Sequence, residues 1–347
     1  MLPPLFSFSR LLHRMRPPAP PLLIACLVMS LNSYTQQVPP CLPQYPGPES
    51  NASFVCNSSS LREFPSGFPS ETKTITVQST QISNLGAEAL QGLPELQELY
   101  LFDNQLKTLP SGLFRNLPAL HSLDLSGNLL EDLPADLFVP VTSLASLSLS
   151  ANQLTELRPS WFVTLEELKI LRLDHNQLKE IPPDCFRKLT LLLSLDLSSN
   201  LLRCLSPEMF RGLTFLTVLN LKNNPITSIA PGTFRGTPTL WILSLRNNSL
   251  THVPPELFRS LKNLGRLDLS ANEITSLEAP LVNVSSEFTL DLSGNPWACD
   301  CRLQALFNWA WEGNVDWFSK ENVVCAFPKS LKGKAATSLE RSQLCPC

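Results

Sequence analysis

Catalysis by nucleophile and base requires a histidine near a hydroxyl, a thiol or a carboxylate. Beyond the first 35 residues the chain offers three histidines for such work, His121, His175 and His252. They stand at different places within the spacing pattern described below, so no fold of that pattern gathers them into one column. The sequence has no His-Glu-x-x-His, no paired Cys-x-x-Cys metal motif and no phosphate-binding glycine loop. Cysteine is the other chemically able residue, and there are ten. Cys26 lies in an apolar leader, which leaves nine for the remainder of the chain. In an exported protein these read as disulfides. Cys41 and Cys56 flank a short proline-rich stretch and would close a small loop; Cys299, Cys301, Cys325, Cys345 and Cys347 cluster at the other end. Cys185 and Cys204 stand apart in mid-chain, either bonded to each other or free as small hydrophobes. An odd number cannot all pair within one chain. The residue types therefore point to a stapled, non-enzymatic protein that needs no metal and no cofactor.

The leader supports export. Arg14 and Arg16 precede the apolar run Leu22 to Leu31, and the small residues Ser33 and Thr35 permit cleavage before Gln36. Ten apolar residues are too few to span a bilayer. The C-terminal sequence Ser-Gln-Leu-Cys-Pro-Cys carries no hydrophobic tail for a lipid anchor. A released, extracellular protein without a membrane anchor is expected. The formal charge is −3; removing Arg10, Arg14 and Arg16 with the leader leaves 24 bases against 30 acids. With no basic stripe, nucleic acid is not an expected partner.

The elements that position everything else come from a repeat. Asn104, Asn128, Asn152, Asn176, Asn200, Asn224, Asn248 and Asn272 are each 24 residues apart, and Asn295 follows after 23. Ahead of each runs the frame seen in Leu120-x-x-Leu123-x-Leu125-x-x-Asn128. This is the leucine-rich-repeat signature. The Leu-x-Leu pair alternates with period two, so a short strand buries both leucines on one face. A buried asparagine at the strand end can satisfy the backbone of adjacent turns. Ten residues after each asparagine a phenylalanine recurs, Phe114, Phe138, Phe162, Phe186, Phe210, Phe234 and Phe258, a spine for the outer side. The stretches between are punctuated by proline and should be irregular or short helix. One repeat is degraded at each end: Thr72, Ile75, Val77, Thr80 and Ile82 occupy the first frame, and Glu287 stands where a leucine belongs in the last.

The expected fold is an α/β leucine-rich-repeat solenoid, a horseshoe with a parallel β-sheet on its concave face and disulfide-bonded caps at both ends. Its expected parts are a signal peptide (1–35), an N-terminal cap (36–71), the repeats (72–295) and a cysteine-rich C-terminal cap (296–347). Leu303, Leu306 and Trp309 share one helical face and should cover the last repeat. Asn-x-Ser/Thr sequons at Asn51, Asn57, Asn247 and Asn283 are candidate glycosylation sites.

Binding is what remains, and the side chains alternating with the buried leucines face the concave side. Glu98, Tyr100 and Phe102 occupy one strand, followed by Asp103; Asp124, Arg172, Asp174 and Asp196 occupy later ones. Adjacent aromatics are common anchors at interfaces, although the N-terminal cap would cover Tyr100 and Phe102 if it folded over them. Acids concentrate early, while Arg172, Lys222, Arg246 and Arg266 lie mostly later.

Asn295-Pro-Trp-Ala-Cys299-Asp-Cys301 with two later cysteines resembles the C-terminal cap of extracellular leucine-rich-repeat proteins. That resemblance implies the pairs Cys299–Cys325 and Cys301–Cys345, with Cys347 in excess. Together with Asn57-Ser-Ser-Ser-Leu-Arg-Glu-Phe-Pro-Ser-Gly-Phe-Pro-Ser70 and Gly294–Cys299, it makes the whole mature chain resemble the leucine-rich alpha-2-glycoprotein family, and within it the beta-type phospholipase A2 inhibitors of snake serum. The resemblance implies a plasma glycoprotein, homotrimeric, that binds and blocks basic group II phospholipases A2. The alternatives are a plasma signalling modulator acting on growth-factor receptors or cytochrome c, and an extracellular-matrix adhesion component.

Overall fold

The computed structural model describes residues 41–43, 52–282, 287–313 and 315–345. The expected signal peptide, Cys26, Asn51, Asn283 and Cys347 lie outside the described residues.

Each repeat contributes one short strand to a 13-stranded sheet, from Leu42–Pro43 to Asp316–Phe318. The first two strands pair antiparallel; all later neighbours in this sheet are parallel and in register, as in Ser122–Asp124 beside Ser146–Ser148. Register follows from the identical 24-residue period. Each buried middle leucine (Leu99, Leu123, Leu147, Leu171, Leu195, Leu219, Leu243, Leu267) sits opposite its equivalent in the next repeat.

The asparagines form the ladder that the spacing predicts. Asn128 Nδ2 donates to Leu101 O of the preceding repeat at 2.8 Å and to Leu125 O of its own at 3.0 Å, while its Oδ1 accepts from Leu106 N at 3.1 Å. Asn152, Asn176, Asn200, Asn224, Asn248 and Asn272 repeat this set. Thr80 replaces asparagine in the first frame and is itself bonded to Asn104 Oδ1 through both its amide and its hydroxyl. Among the described residues no buried side-chain nitrogen or oxygen lacks a partner.

Behind the sheet the seven phenylalanines are buried, with successive rings 6.2 Å apart for Phe114–Phe138 and for Phe210–Phe234. The outer side is mostly turns, with 3₁₀ segments at Pro159–Trp161 and Thr233–Gly236. It also holds a small parallel ladder that periodicity did not reveal: Cys204–Leu205 pairs with Ser228–Ile229.

The caps close both ends. The Cys41–Cys56 disulfide lies next to Phe54, which meets Phe68 edge-on at 5.3 Å. At the other end Cys299–Cys325 and Cys301–Cys345 are bonded. Between them helix α1 (Cys301–Glu312) buries Leu303, Leu306 and Ala310. Asp300 caps α1, accepting from the Arg302 and Leu303 amides. Burial alone would raise its carboxyl, but these bonds and the Arg302 guanidinium hold it below the ordinary value. In the degraded last repeat Phe288, next to Glu287, is buried and meets Trp309 of α1 edge-on at 6.4 Å. Trp309 is partly buried and packs against the core there.

The mid-chain cysteines are both free. Cys185 is buried at a position that Leu113, Leu137, Trp161 and Met209 fill in other repeats, all of them buried. Its thiol takes the place of a hydrocarbon, and burial pushes its pKa up to about 12. Cys204 is exposed, with Ser228 Oγ at 3.3 Å. At pH 8 the Cys185 thiolate fraction is about one in ten thousand. Alkylation of the native protein followed by peptide mapping is expected to label Cys204 and spare Cys185. Comparable labelling of both before unfolding would contradict this placement.

Candidate protein-binding site

The concave face is built from three side chains per repeat: two from the strand itself and one just past it. Glu98, Tyr100 and Phe102 are all half-exposed, and Asp103 is exposed. The described residues of the N-terminal cap leave Tyr100 and Phe102 partly open to solvent. Partial burial raises the Tyr100 phenol above its ordinary value; the Ser122 hydroxyl opposes the rise, and Glu98 and Asp124 add to it. Asp103 adopts φ of 55°. The space beside it exists because residue 127 is glycine: a Cβ there would collide with the Asp103 carboxylate.

That left-handed turn is general and was not legible in the sequence. The residue before each ladder position has positive φ in ten successive repeats, from Ser79 and Asp103 through His175 to Ala271 and Gly294. Five of the non-glycine members are Ser, Asp or Asn, types that tolerate this conformation. The amide of this residue donates to the next repeat, as Ala151 N does to Asp174 O at 2.8 Å. Inter-repeat bonding holds the turn in place, and its signal in the sequence is only a bias toward small and polar residues.

The acids divide by what already engages them. Asp124 Oδ1 accepts from Ser126 N at 2.8 Å. Asp196 Oδ1 accepts from the Ser198 amide and hydroxyl, and its Oδ2 from Asn220 Nδ2 at 2.9 Å. Asp268 and Asp291 make the same local turn. An aspartate in mid-strand thus stabilises the strand end, and Asp196 has little capacity left for a ligand. Glu98 and Asp103 carry their charge more freely; Glu98 has one long bond, from Thr74 Oγ1 at 3.4 Å. Arg172 is exposed beside Asp174 and Asp196.

Asp174 sits within a cluster of catalytic residue types. Ser150 Oγ donates to Asp174 Oδ1 at 2.6 Å, and His175 Nδ1 lies 2.9 Å from Oδ2. The carboxylate stands between the hydroxyl and the imidazole. Activating a serine needs the base next to the hydroxyl and the acid behind the base, so this order orients side chains without preparing a nucleophile.

The face is therefore a shallow curved surface with acid and aromatics at its early strands and cations further along. Asn57 and Asn247, the two sequons within the described residues, are both exposed on the edge where the strands end.

Comparison with known proteins places this architecture. The leucine-rich-repeat family matches residues 70–130, 142–202, 194–250 and 238–296. "Phospholipase A2 inhibitor beta" of Elaphe climacophora is 69% identical over 333 residues, covering 96% of this chain and all of that protein. The "Phospholipase A2 inhibitor" of Gloydius brevicaudus siniticus is 64% identical over the same coverage. The chain belongs to the leucine-rich-repeat family of these inhibitors. Other members share only part of the array; human carboxypeptidase N subunit 2 is 45% identical over 60 residues, 17% of this chain. Among solved structures, a chain of an octameric complex of Latrophilin 3, Unc5D and FLRT2 superposes with a TM-score of 0.67, at 25% identity over 87% of this chain and 97% of that one. The repeat scaffold is common to the wider family. Agreement from end to end, caps included, is what ties this chain to the inhibitors.

Proposed function

We propose that the protein binds phospholipase A2 and blocks it, and that the enzymes it takes are basic ones of group II. The observation that carries this reading is 64–69% identity to proteins named phospholipase A2 inhibitors across 96% of the chain. The leader and the disulfide-stapled caps suit a secreted plasma protein, glycosylated at its sequons. Among the described residues no helix is long and apolar enough to cross a membrane. Inhibition comes from occupancy alone, without chemistry on the enzyme, and the working form is a homotrimer.

Physically, Tyr100 and Phe102 serve as anchors while Glu98, Asp103 and the outer oxygen of Asp124 draw in a cationic enzyme. Long-range attraction of this kind acts mainly on the association rate and weakens with salt. Titrating the purified protein into a basic group II phospholipase A2 is expected to remove activity stoichiometrically. Raising the salt from about 50 to about 300 mM should slow association about tenfold, with a smaller effect on an acidic phospholipase. Full enzyme activity at micromolar protein and low salt would overturn the reading, and tight capture of a growth factor, a receptor or cytochrome c instead would replace it.

A further inference from the structure

Outside the concave strands, the residues that lead into them vary between repeats. At the positions nine and seven before the ladder asparagine, early repeats carry Glu95 and Gln97, Ala119 and His121, Ser143 and Ala145, then Glu167 and Lys169. The next three repeats carry Leu191 and Leu193, Phe215 and Thr217, and Thr239 and Trp241, before Asn263 and Gly265 end the run. None of these large apolar side chains is covered: Phe215 is 53%, Trp241 47%, Leu193 42% and Leu191 36% exposed. Of the strand-start positions there, Val218 and Ile242 are apolar and half-exposed while Ser194 is polar, and Ile170 of the preceding repeat is 39% exposed.

These residues form one surface. Thr217 N donates to Leu193 O and Trp241 N to Thr217 O, each at 2.9 Å, so their backbones are rungs of one ladder. Trp241 lies across Gly265, where a Cβ would collide with its indole ring. The absent side chain at 265 makes room for the ring on the surface. A contiguous exposed apolar patch marks a contact site.

We infer that this edge, where the strands of the Leu191–Trp241 repeats begin, docks the apolar surface with which a phospholipase A2 meets lipid. The inference rests on the inhibitor reading and adds the mode of inhibition. An enzyme that hydrolyses aggregated lipid must itself expose an apolar surface around its substrate entrance. A partner that covers that surface keeps the enzyme off the lipid. The described sequons at Asn57 and Asn247 lie on the opposite edge, so sugars there leave this one clear. From Tyr100 to Thr217 is five strands, about 24 Å, so one small enzyme about 30 Å across reaches both the anchors and the apolar edge.

The test compares the wild-type protein with the Leu193→Ser/Phe215→Ser/Trp241→Ser variant in binding to a basic group II phospholipase A2. Non-hydrolysable ether-lipid vesicles of phosphatidylcholine and phosphatidylglycerol serve as competitor. The variant is expected to bind about 30-fold more weakly, and vesicles that adsorb the enzyme should compete with the wild-type protein. The single Phe215→Ser variant, at the most exposed of these positions, should lose about threefold to tenfold with its unfolding midpoint unchanged. Unaltered affinity in both variants, or enzyme held on vesicles and inhibitor at once, would overturn the docking while inhibition stood. A wild-type protein that binds no phospholipase would overturn both. Wild-type protein that sediments with vesicles alone, or self-association that the triple variant abolishes, would give the edge to lipid or to a second copy and overturn the proposal.

Discussion

Replacing Phe234 by alanine is expected to lower the unfolding free energy by about 3–5 kcal/mol, the usual range for losing a buried phenylalanine. Phe234 is fully buried and stacks on both neighbours in the spine, with centroids 6.2 Å from Phe210 and 6.1 Å from Phe258. Truncation leaves a cavity that the repeats on either side cannot easily fill, because the asparagine ladder fixes their spacing. The loss should not stay local in its consequences. In a solenoid each repeat is held by its own packing and by its two interfaces, so one weak repeat can separate the array into halves. Guanidinium unfolding followed by fluorescence and by circular dichroism is expected to show a lower midpoint and a transition that broadens or splits. A midpoint shift corresponding to less than about 1 kcal/mol would show that the spine is not what holds the outer layer to the sheet.

Asn176→Ala is expected to cost about 3 kcal/mol although it removes little apolar surface. The amide donates to Leu149 O at 2.9 Å and Leu173 O at 3.1 Å, and accepts from Leu154 N at 3.0 Å. Truncation leaves these groups buried without their partner, at roughly 1–3 kcal/mol for each that water cannot reach. Asn176→Asp is the sharper test. It keeps the shape and the acceptor but turns a carboxylate toward two carbonyl oxygens. At neutral pH it should be at least as damaging as alanine. Its carboxyl is ionised less readily in the folded state than in the unfolded one, so stability should recover as pH falls and decline as pH rises. An Asn176→Asp protein with wild-type thermal stability at pH 7 would refute the ladder's energetic role. Hydrogen exchange at the Leu154 amide reads the same contact directly and should accelerate in both variants.

Tyr100 and Phe102 were legible as outward residues of a strand, because alternation alone sets that. Their partial exposure beside the described residues of the cap was not, since it depends on how the cap folds against the first strands. Asp124 and Asp196 look alike to Glu98 and Asp103 in sequence, as acids on the same face. They differ because a mid-strand aspartate reaches the amide two residues on, whereas Glu98 and Asp103 do not sit at that place. The apolar edge has no signature of its own in the sequence. Leu191, Leu193, Phe215 and Trp241 lie among leucines that the repeat does bury, and an extra apolar residue beside a core position looks like more core.

Composition and spacing by themselves determined the solenoid, the buried ladder and the phenylalanine spine. Those features repeat every 24 residues, and a repeat buries the same positions in each unit because each unit meets the same neighbour. The tertiary structure alone decided the left-handed turn before every ladder residue, the two free mid-chain thiols, the engagement of Asp124 and Asp196, and the exposure of one apolar edge. The turn, the thiols and the edge depend on what an adjacent repeat presents across about 5 Å of sheet, and spacing along one chain carries no information about that distance; the two aspartates are engaged locally, by the amide two residues on.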